Sequence, residues 1–341
     1  MEAKHRIILF NLNSIQMVYI LYKSNKLRSC LFEKTLIPKT FFLSLLLLMV
    51  FKANSQTPND AIMMPSKDAC LLLNFDGGNF NQYWEGEKLR KNETIATVSR
   101  ATILPMVAIG IVNNLNVYLS VPYIQTKSSI PNGGRFAGAS GFQDLGVALK
   151  YRFLNKETTK GEWTALGTTG FSHPVTNYLS DYMPYSLGTG APEAMLSGIL
   201  QYKWKTGPYL RGSVSHMWRG YTEAERDYYY NNGSYYTAWM DVPNAFGLNA
   251  TAGYWLLQNS LKLEANYWNL QSTSGDDIRA YNAAQPTNKV MFGRVGLAAQ
   301  YYFPFAKGLG VVVNYSRVTS GRNTAKMNNS SLGLTYQFSY R

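Results

Sequence analysis

The residues best able to do chemistry are cations placed at every second position of apolar runs. Lys150 and Arg152 interrupt Asp144–Phe153 (DLGVALKYRF), and Lys203 and Lys205 interrupt Gln201–Lys205 (QYKWK). Arg100, Arg211, Arg219, Lys262 and Arg294 occupy equivalent places in other runs. A strand has a side-chain period of two, so these cations share one face and the apolar side chains share the other. Asp144 and Glu264 are the acids that alternation assigns to the cationic face. Such a set, held in a narrow low-dielectric space, would focus positive potential and favour anions. The same set, paired with carboxylates or water, would merely fill an interior. Both readings stand on the sequence.

A second group is aromatic. Tyr228, Tyr229, Tyr230, Tyr235 and Tyr236 crowd the stretch Glu223–Trp239. They could fold inward, form a stacking platform for ring-bearing ligands, or sit at a membrane interface. A third group is nucleophilic. Ser172 adjoins His173 and Ser215 adjoins His216, but neighbours on a strand point to opposite faces, so neither pair can couple as base and nucleophile. Ser213 lies on the face of Ser215, away from His216. No P-loop, zinc cluster or dinucleotide fingerprint occurs, and no catalytic residue, metal or cofactor is expected.

The elements that must position these groups are strands. From Asp144 onward, Leu145, Val147, Leu149, Tyr151 and Phe153 point one way, and Asp144, Gly146, Ala148, Lys150 and Arg152 the other. The rhythm recurs about twelve times. The odd-numbered connections read as long and the even-numbered ones as short, without exception. That combination predicts an all-β fold, a closed transmembrane antiparallel barrel of about twelve strands, apolar outside and polar inside. An even count places both termini at the periplasm. By topology Lys150, Arg152, Lys203, Lys205, Arg211 and Lys262 then ring the periplasmic mouth.

Finer features are also predicted. Strand one covers about Cys70 to Tyr83, with a bulge at Gly77-Gly78. Strand two covers about Thr94 to Ile111, with Pro105 forcing a bulge or a disrupted pair. The last strand, Asn329 to Arg341, ends in Gly333-Leu334-Thr335-Tyr336-Gln337-Phe338, a glycine-x-x-aromatic-x-aromatic pattern similar to the terminal signal read by the outer-membrane assembly machinery.

The chain has 341 residues and a formal charge of +13. Residues 1–55 are expected to be a leader. Phe41–Phe51 (FFLSLLLLMVF) follows Lys34 and Lys39, is too short to span a bilayer as a helix, and precedes Ala53-Asn54-Ser55, which suits cleavage after Ser55. A start codon assigned too early, or an extended basic targeting arm, would each account for the residues ahead of the apolar run. The leader holds 8 Lys+Arg and 2 Asp+Glu, so the remainder keeps 25 against 18, a net +7. No basic tract fits a nucleic acid. Residues 56–69 are expected as a periplasmic segment and 70–341 as the barrel. Cys70 is the one cysteine past the leader, so no internal disulfide can form there. Mean hydropathy is −0.20 and aromatics are 14%, which suits aromatic girdles rather than helical spans.

Two segments carry a resemblance. Asn116–Ile124 (NVYLSVPYI) and Gly141–Phe153 (GFQDLGVALKYRF) are similar to a signature of the outer-membrane family named for the phenol-degradation meta-pathway, with Leu-x-Val-Pro-Tyr, then Gly-x-x-Asp-Leu and a Lys-Tyr-Arg strand end. Ser186–Gly190 and Gly170–Val175 echo it more weakly. The resemblance implies an outer-membrane barrel; some members are encoded beside aromatic-degradation enzymes and are thought to move small molecules. The expected partners are outer-membrane lipid and lipopolysaccharide, the assembly machinery and a small solute, anionic or aromatic. A surface-binding barrel without transport and, more remotely, a lipid hydrolase are the alternatives.

Overall fold

A computed structural model describes residues 56–340, apart from 280–283. The leader, its cleavage point and Arg341 lie outside the described residues. Twelve antiparallel strands form the wall. They are β1 Asp68–Phe80, β2 Val98–Val112, β3 in two pieces (Leu115–Ser120 and Tyr123–Ser128), β4 in two pieces (Gly138–Phe142 and Asp144–Glu157), β5 Gly161–Pro174 and β6 Glu193–Trp204. The circuit continues with β7 Pro208–Arg219, β8 Ala245–Leu256, β9 Leu261–Ser272, β10 Met291–Tyr302, β11 Leu309–Arg322 and β12 Asn328–Ser339. Each strand pairs with its neighbours in sequence, and β1 pairs with both β2 and β12, so the sheet closes on itself. Closure satisfies the edge groups that a bilayer core could not hydrate.

The predicted alternation holds. Leu145, Val147, Leu149, Tyr151 and Phe153 of β4 are exposed on the outside, while Lys150 between them is fully buried within. On β12, Leu332, Leu334, Tyr336 and Phe338 face outward, and the last two rings stack at 5.9 Å. The apolar side chains cover the outer surface and the polar ones line a lumen, the reverse of a water-soluble sheet's core.

Three local expectations need correction. β1 ends at Phe80 and carries no register shift at Gly77-Gly78. At Gly78 the Asn329 side chain occupies the space a Cβ would take, 2.4 Å from its Oδ1. β2 starts at Val98 rather than Thr94, and Gln82–Glu85 pairs with Lys88–Lys91 as a small hairpin in the preceding loop. The regular segregation of loop lengths fails once: β11 and β12 extend until only 323–327 joins them, no longer than the 303–308 turn before β11. Pro105, by contrast, has the predicted disrupted pair. It stays in register with Leu73, but β3 breaks at Val121-Pro122 opposite it, so the missing donors of two prolines fall in one gap of the ladder.

The segment expected to lie at the periplasm before the barrel is folded into it. Residues 56–67 enter the end of the lumen where the short turns lie. Gln56, Asp60 and Met64 are buried there. The chain leaves past the β2–β3 turn, where Ser66 N donates to Asn113 Oδ1 at 3.0 Å and Lys67 N to Gly110 O at 3.0 Å. Gly110 permits this approach, since a Cβ would stand 1.9 Å from the Pro65 carbonyl oxygen. Gly110→Val is therefore expected to push the segment off the wall while the barrel closes normally. Faster proteolysis of 56–67 in an otherwise protease-resistant protein would show it; an unchanged cleavage rate would contradict the placement.

Candidate channel lumen

The short-turn end is built around a salt bridge. Lys150 Nζ donates to Asp60 Oδ1 at 2.9 Å, Thr57 O at 2.8 Å and Asp60 O at 3.2 Å, and sits 5.1 Å from the centre of the Tyr118 ring. All three ammonium donors can thus be used. Asp60 also organises its own segment: Thr57 N donates to Oδ2 at 2.6 Å and Ile62 N to Oδ1 at 2.9 Å. Thr168 of β5 donates to Pro58 O at 3.0 Å, and the side-chain amides of Asn116 and Gln56 meet at 2.7 Å. The segment is a plug bonded to β3, β4 and β5.

Of the six cations that alternation assigns to the mouth, Lys150, Arg211 and Lys262 lie together inside it, and carboxylates face them. Arg211 lies 3.1 Å and Lys262 3.5 Å from Glu264, which also accepts from Tyr209 Oη at 2.5 Å. With Lys150, that makes three cations against Asp60 and Glu264. Arg152 turns to the rim and bonds Asn114 Oδ1 at 2.8 Å. Lys203 stands 5.4 Å over the Trp255 ring, and Lys205 is exposed at the β6–β7 turn. The buried cations of this end are thus paired with carboxylates.

Burial pushes the Asp60 carboxyl upward, but the charges of Lys150, Lys262 and Arg211 outweigh it and hold the group below the usual carboxylate range. A carboxyl held low stabilises the folded form above its ordinary pKa and loses that contribution as pH falls through the lowered value. The plug should therefore stay docked from about pH 8 to about pH 5 and release only below about pH 4. Proteolysis of 56–67 by an acid-stable protease across that range checks this, and release already near neutrality would contradict it.

Loops cover the other end. Arg100 of β2 donates to Ser186 O at 3.3 Å and Leu187 O at 2.5 Å, drawing the β5–β6 loop into the mouth. Tyr185 in that loop is buried and donates to Ser128 Oγ at 2.7 Å. Tyr178 donates to Asp144 Oδ1 at 2.6 Å. The β7–β8 loop rests on it: Thr222 bonds Ser180 at 2.9 Å, Arg226 pairs with Asp181 at 3.2 Å, and Tyr182 bonds Glu225. Arg219 pairs with Glu193 at 2.7 Å.

The tyrosine cluster forms a hairpin, Tyr229–Tyr230 with Ser234–Tyr235, in which Tyr229 and Tyr235 stack on each other at 5.1 Å. Tyr228 meets Tyr236 at 5.1 Å, and Tyr230 lies under Arg279 at 4.4 Å. These rings contact one another and the β9–β10 loop, while Tyr228, Tyr235 and Tyr236 also remain exposed. Asp277 of that loop is held below the usual range by hydrogen bonds from Arg322. Ser215 faces the lumen, whereas His216 lies outside against Trp218 at 4.5 Å.

Between plug and loops the wall is not packed shut. Inward-facing Asn74, Asp76, Thr102, Trp268, Arg294, Ala298 and Asn314 are all half-buried, unlike Lys150, Asn116 and Tyr118 at the plug. Asp60, Thr168 and Tyr209 were not singled out in the sequence, and Asn116 and Tyr118 entered only as part of the Asn116–Ile124 segment. The excess of inward cations over inward acids was the one sign that a carboxylate had to arrive from elsewhere.

A sealed twelve-stranded sheet with an apolar exterior and a polar interior defines the outer-membrane β-barrel class. Within it, the fold is similar to the crystal structure of an outer membrane channel from Pseudomonas putida F1, with a TM-score of 0.66 and 11% identity over 83% of this chain and 100% of that one. It is more distantly similar to the NanC porin, with a TM-score of 0.45 and 10% identity over 77% and 98% of the two chains. At such identities the likeness concerns the fold. No family model and no curated protein sequence matches the chain.

Proposed function

We propose that the protein is an outer-membrane channel through which small molecules move passively, with both termini and the plug on the periplasmic side. The observation that carries this is the half-buried polar middle of the lumen. A barrel serving only as a scaffold would gain from packing that volume shut, as soluble cores do. Eight strands leave room for side chains alone and sixteen to eighteen leave a wide aqueous pore, so twelve suit a narrow passage. The plug and the inward loop narrow it further and favour small solutes.

The resemblance to the phenol-degradation meta-pathway family agrees with this reading and adds a detail. Its two segments contribute Asn116, Tyr118 and Lys150, which together form the socket of the plug. Lipid and lipopolysaccharide would cover the apolar exterior, and β12 would present the terminal pattern to the assembly machinery. Uptake of solutes of graded size by vesicles containing the protein tests the function. Entry of the smallest solutes with a sharp size limit is expected; vesicles no leakier than protein-free ones would favour a surface-binding role.

A further inference from the structure

Arg294 stands out in the lumen. It projects inward from β10 beside the bulge at Gly293/Arg294, and its guanidinium lies 4.5 Å over the Trp268 ring. Among the described residues it makes no hydrogen bond and no ion pair, and its Nε is buried without a partner. The other buried cations of the lumen are satisfied: Lys150 and Arg211 by carboxylates, Arg100 by loop carbonyls. Asp76 lies within electrostatic reach of both Arg294 and Arg100, but it pairs with neither and accepts from Asn329 Nδ2 at 3.3 Å. An unpaired, desolvated guanidinium is costly unless something charged meets it. The Trp268 ring lies against one side of the group and its Nε is closed off, so the two terminal Nη groups are the donors left to receive a carboxylate end-on.

On the Trp268 side the neighbouring wall is apolar. Trp268 meets Phe292 edge-on at 4.9 Å, and both, with Met195, pack over buried Met217 and Leu270 while keeping part of their surface toward the lumen. Such a surface beside a free cation suits one ligand class, a small organic anion with an apolar body.

We infer that the lumen holds, toward its long-loop end, a subsite for an apolar monocarboxylate, with Arg294 receiving the carboxylate and Trp268, Phe292 and Met195 receiving a ring-sized body. The inference rests on the channel reading for its purpose, but not for its test. Binding of benzoate, benzyl alcohol and acetate to the purified full chain in detergent is measured by calorimetry. Benzoate should bind at least about tenfold more tightly than either of the others, because each of them lacks one half of the match. Arg294→Gln should abolish the preference for benzoate over benzyl alcohol, Arg294→Lys should retain part of it, and Trp268→Leu should weaken both ring compounds. Heat-dependent gel mobility checks that each variant is a folded barrel. Equal binding of acetate and benzoate, undiminished benzoate binding by Arg294→Gln, or no benzoate binding by the unmodified chain would each overturn the subsite. Benzoate entry into vesicles is followed in parallel. Entry without binding would remove the subsite and leave the channel, whereas binding without entry would keep the subsite and remove the channel.

Discussion

Replacing Lys150 with methionine should release residues 56–67 from the lumen and raise ionic conductance severalfold. Lys150 is wholly buried and Asp60 nearly so, with a 2.9 Å contact between them. Removing Lys150 takes from buried Asp60 its hydrogen-bonded partner and the nearest of the three cations that hold it charged, at a cost of up to about 3–5 kcal/mol. The wall itself depends on the strand ladders, not on this pair, so the barrel should still close. Asp60 would regain water by leaving the lumen, and the plug would go with it. The double variant Lys150→Met with Asp60→Asn should recover much of the closed state, since no orphan charge remains. Single-channel current and protease access to 56–67 should move together across the three proteins. A variant with open current but a protected segment would break the link between plug and conductance.

Arginine at Val214 should destabilise the protein by about 2–4 kcal/mol, as expected for a cation on the lipid face near mid-membrane. Val214 lies mid-strand on β7, pairs with Gly198 and Leu248, and is 46% exposed on the outer surface. On a water-soluble sheet the same exposure would make the change nearly neutral, within about 0.5 kcal/mol. Ser213, the next residue, faces the lumen, and lysine there should cost far less. Denaturant unfolding of the three proteins in lipid vesicles gives the comparison. Equal, small effects at both positions would remove the membrane from the explanation.

How much the sequence revealed depends on which physics was at work. Wherever lipid lies on one side and water on the other, the period of two is imposed residue by residue, and Asp144–Phe153 or Asn329–Ser339 can be read directly. Strand count and closure followed from repeating that test. Loop ends were less legible, because hydrogen-bonded strands run past the membrane boundary; β11 does so up to Arg322 and erases the expected long loop. The plug was invisible to periodicity. Thr57, Asp60 and Met64 belong to an irregular segment, and their role exists only once β3, β4 and β5 curve around them. Lys150, Arg211 and Lys262 could be assigned inward by alternation, but the compensation of Lys150 by Asp60 depends on a contact between residues ninety positions apart. The tyrosines of Glu223–Trp239 could not be placed because stacking partners such as Tyr229 and Tyr235 are set by hairpin register.

The most direct test is the current through single reconstituted barrels of the chain that begins at Gln56, compared with one that begins at Lys67. A sealed wall around a polar lumen, narrowed at one end by 56–66, predicts a small steady current in the first and a severalfold larger one in the second. Equal currents, or none in either, would contradict it.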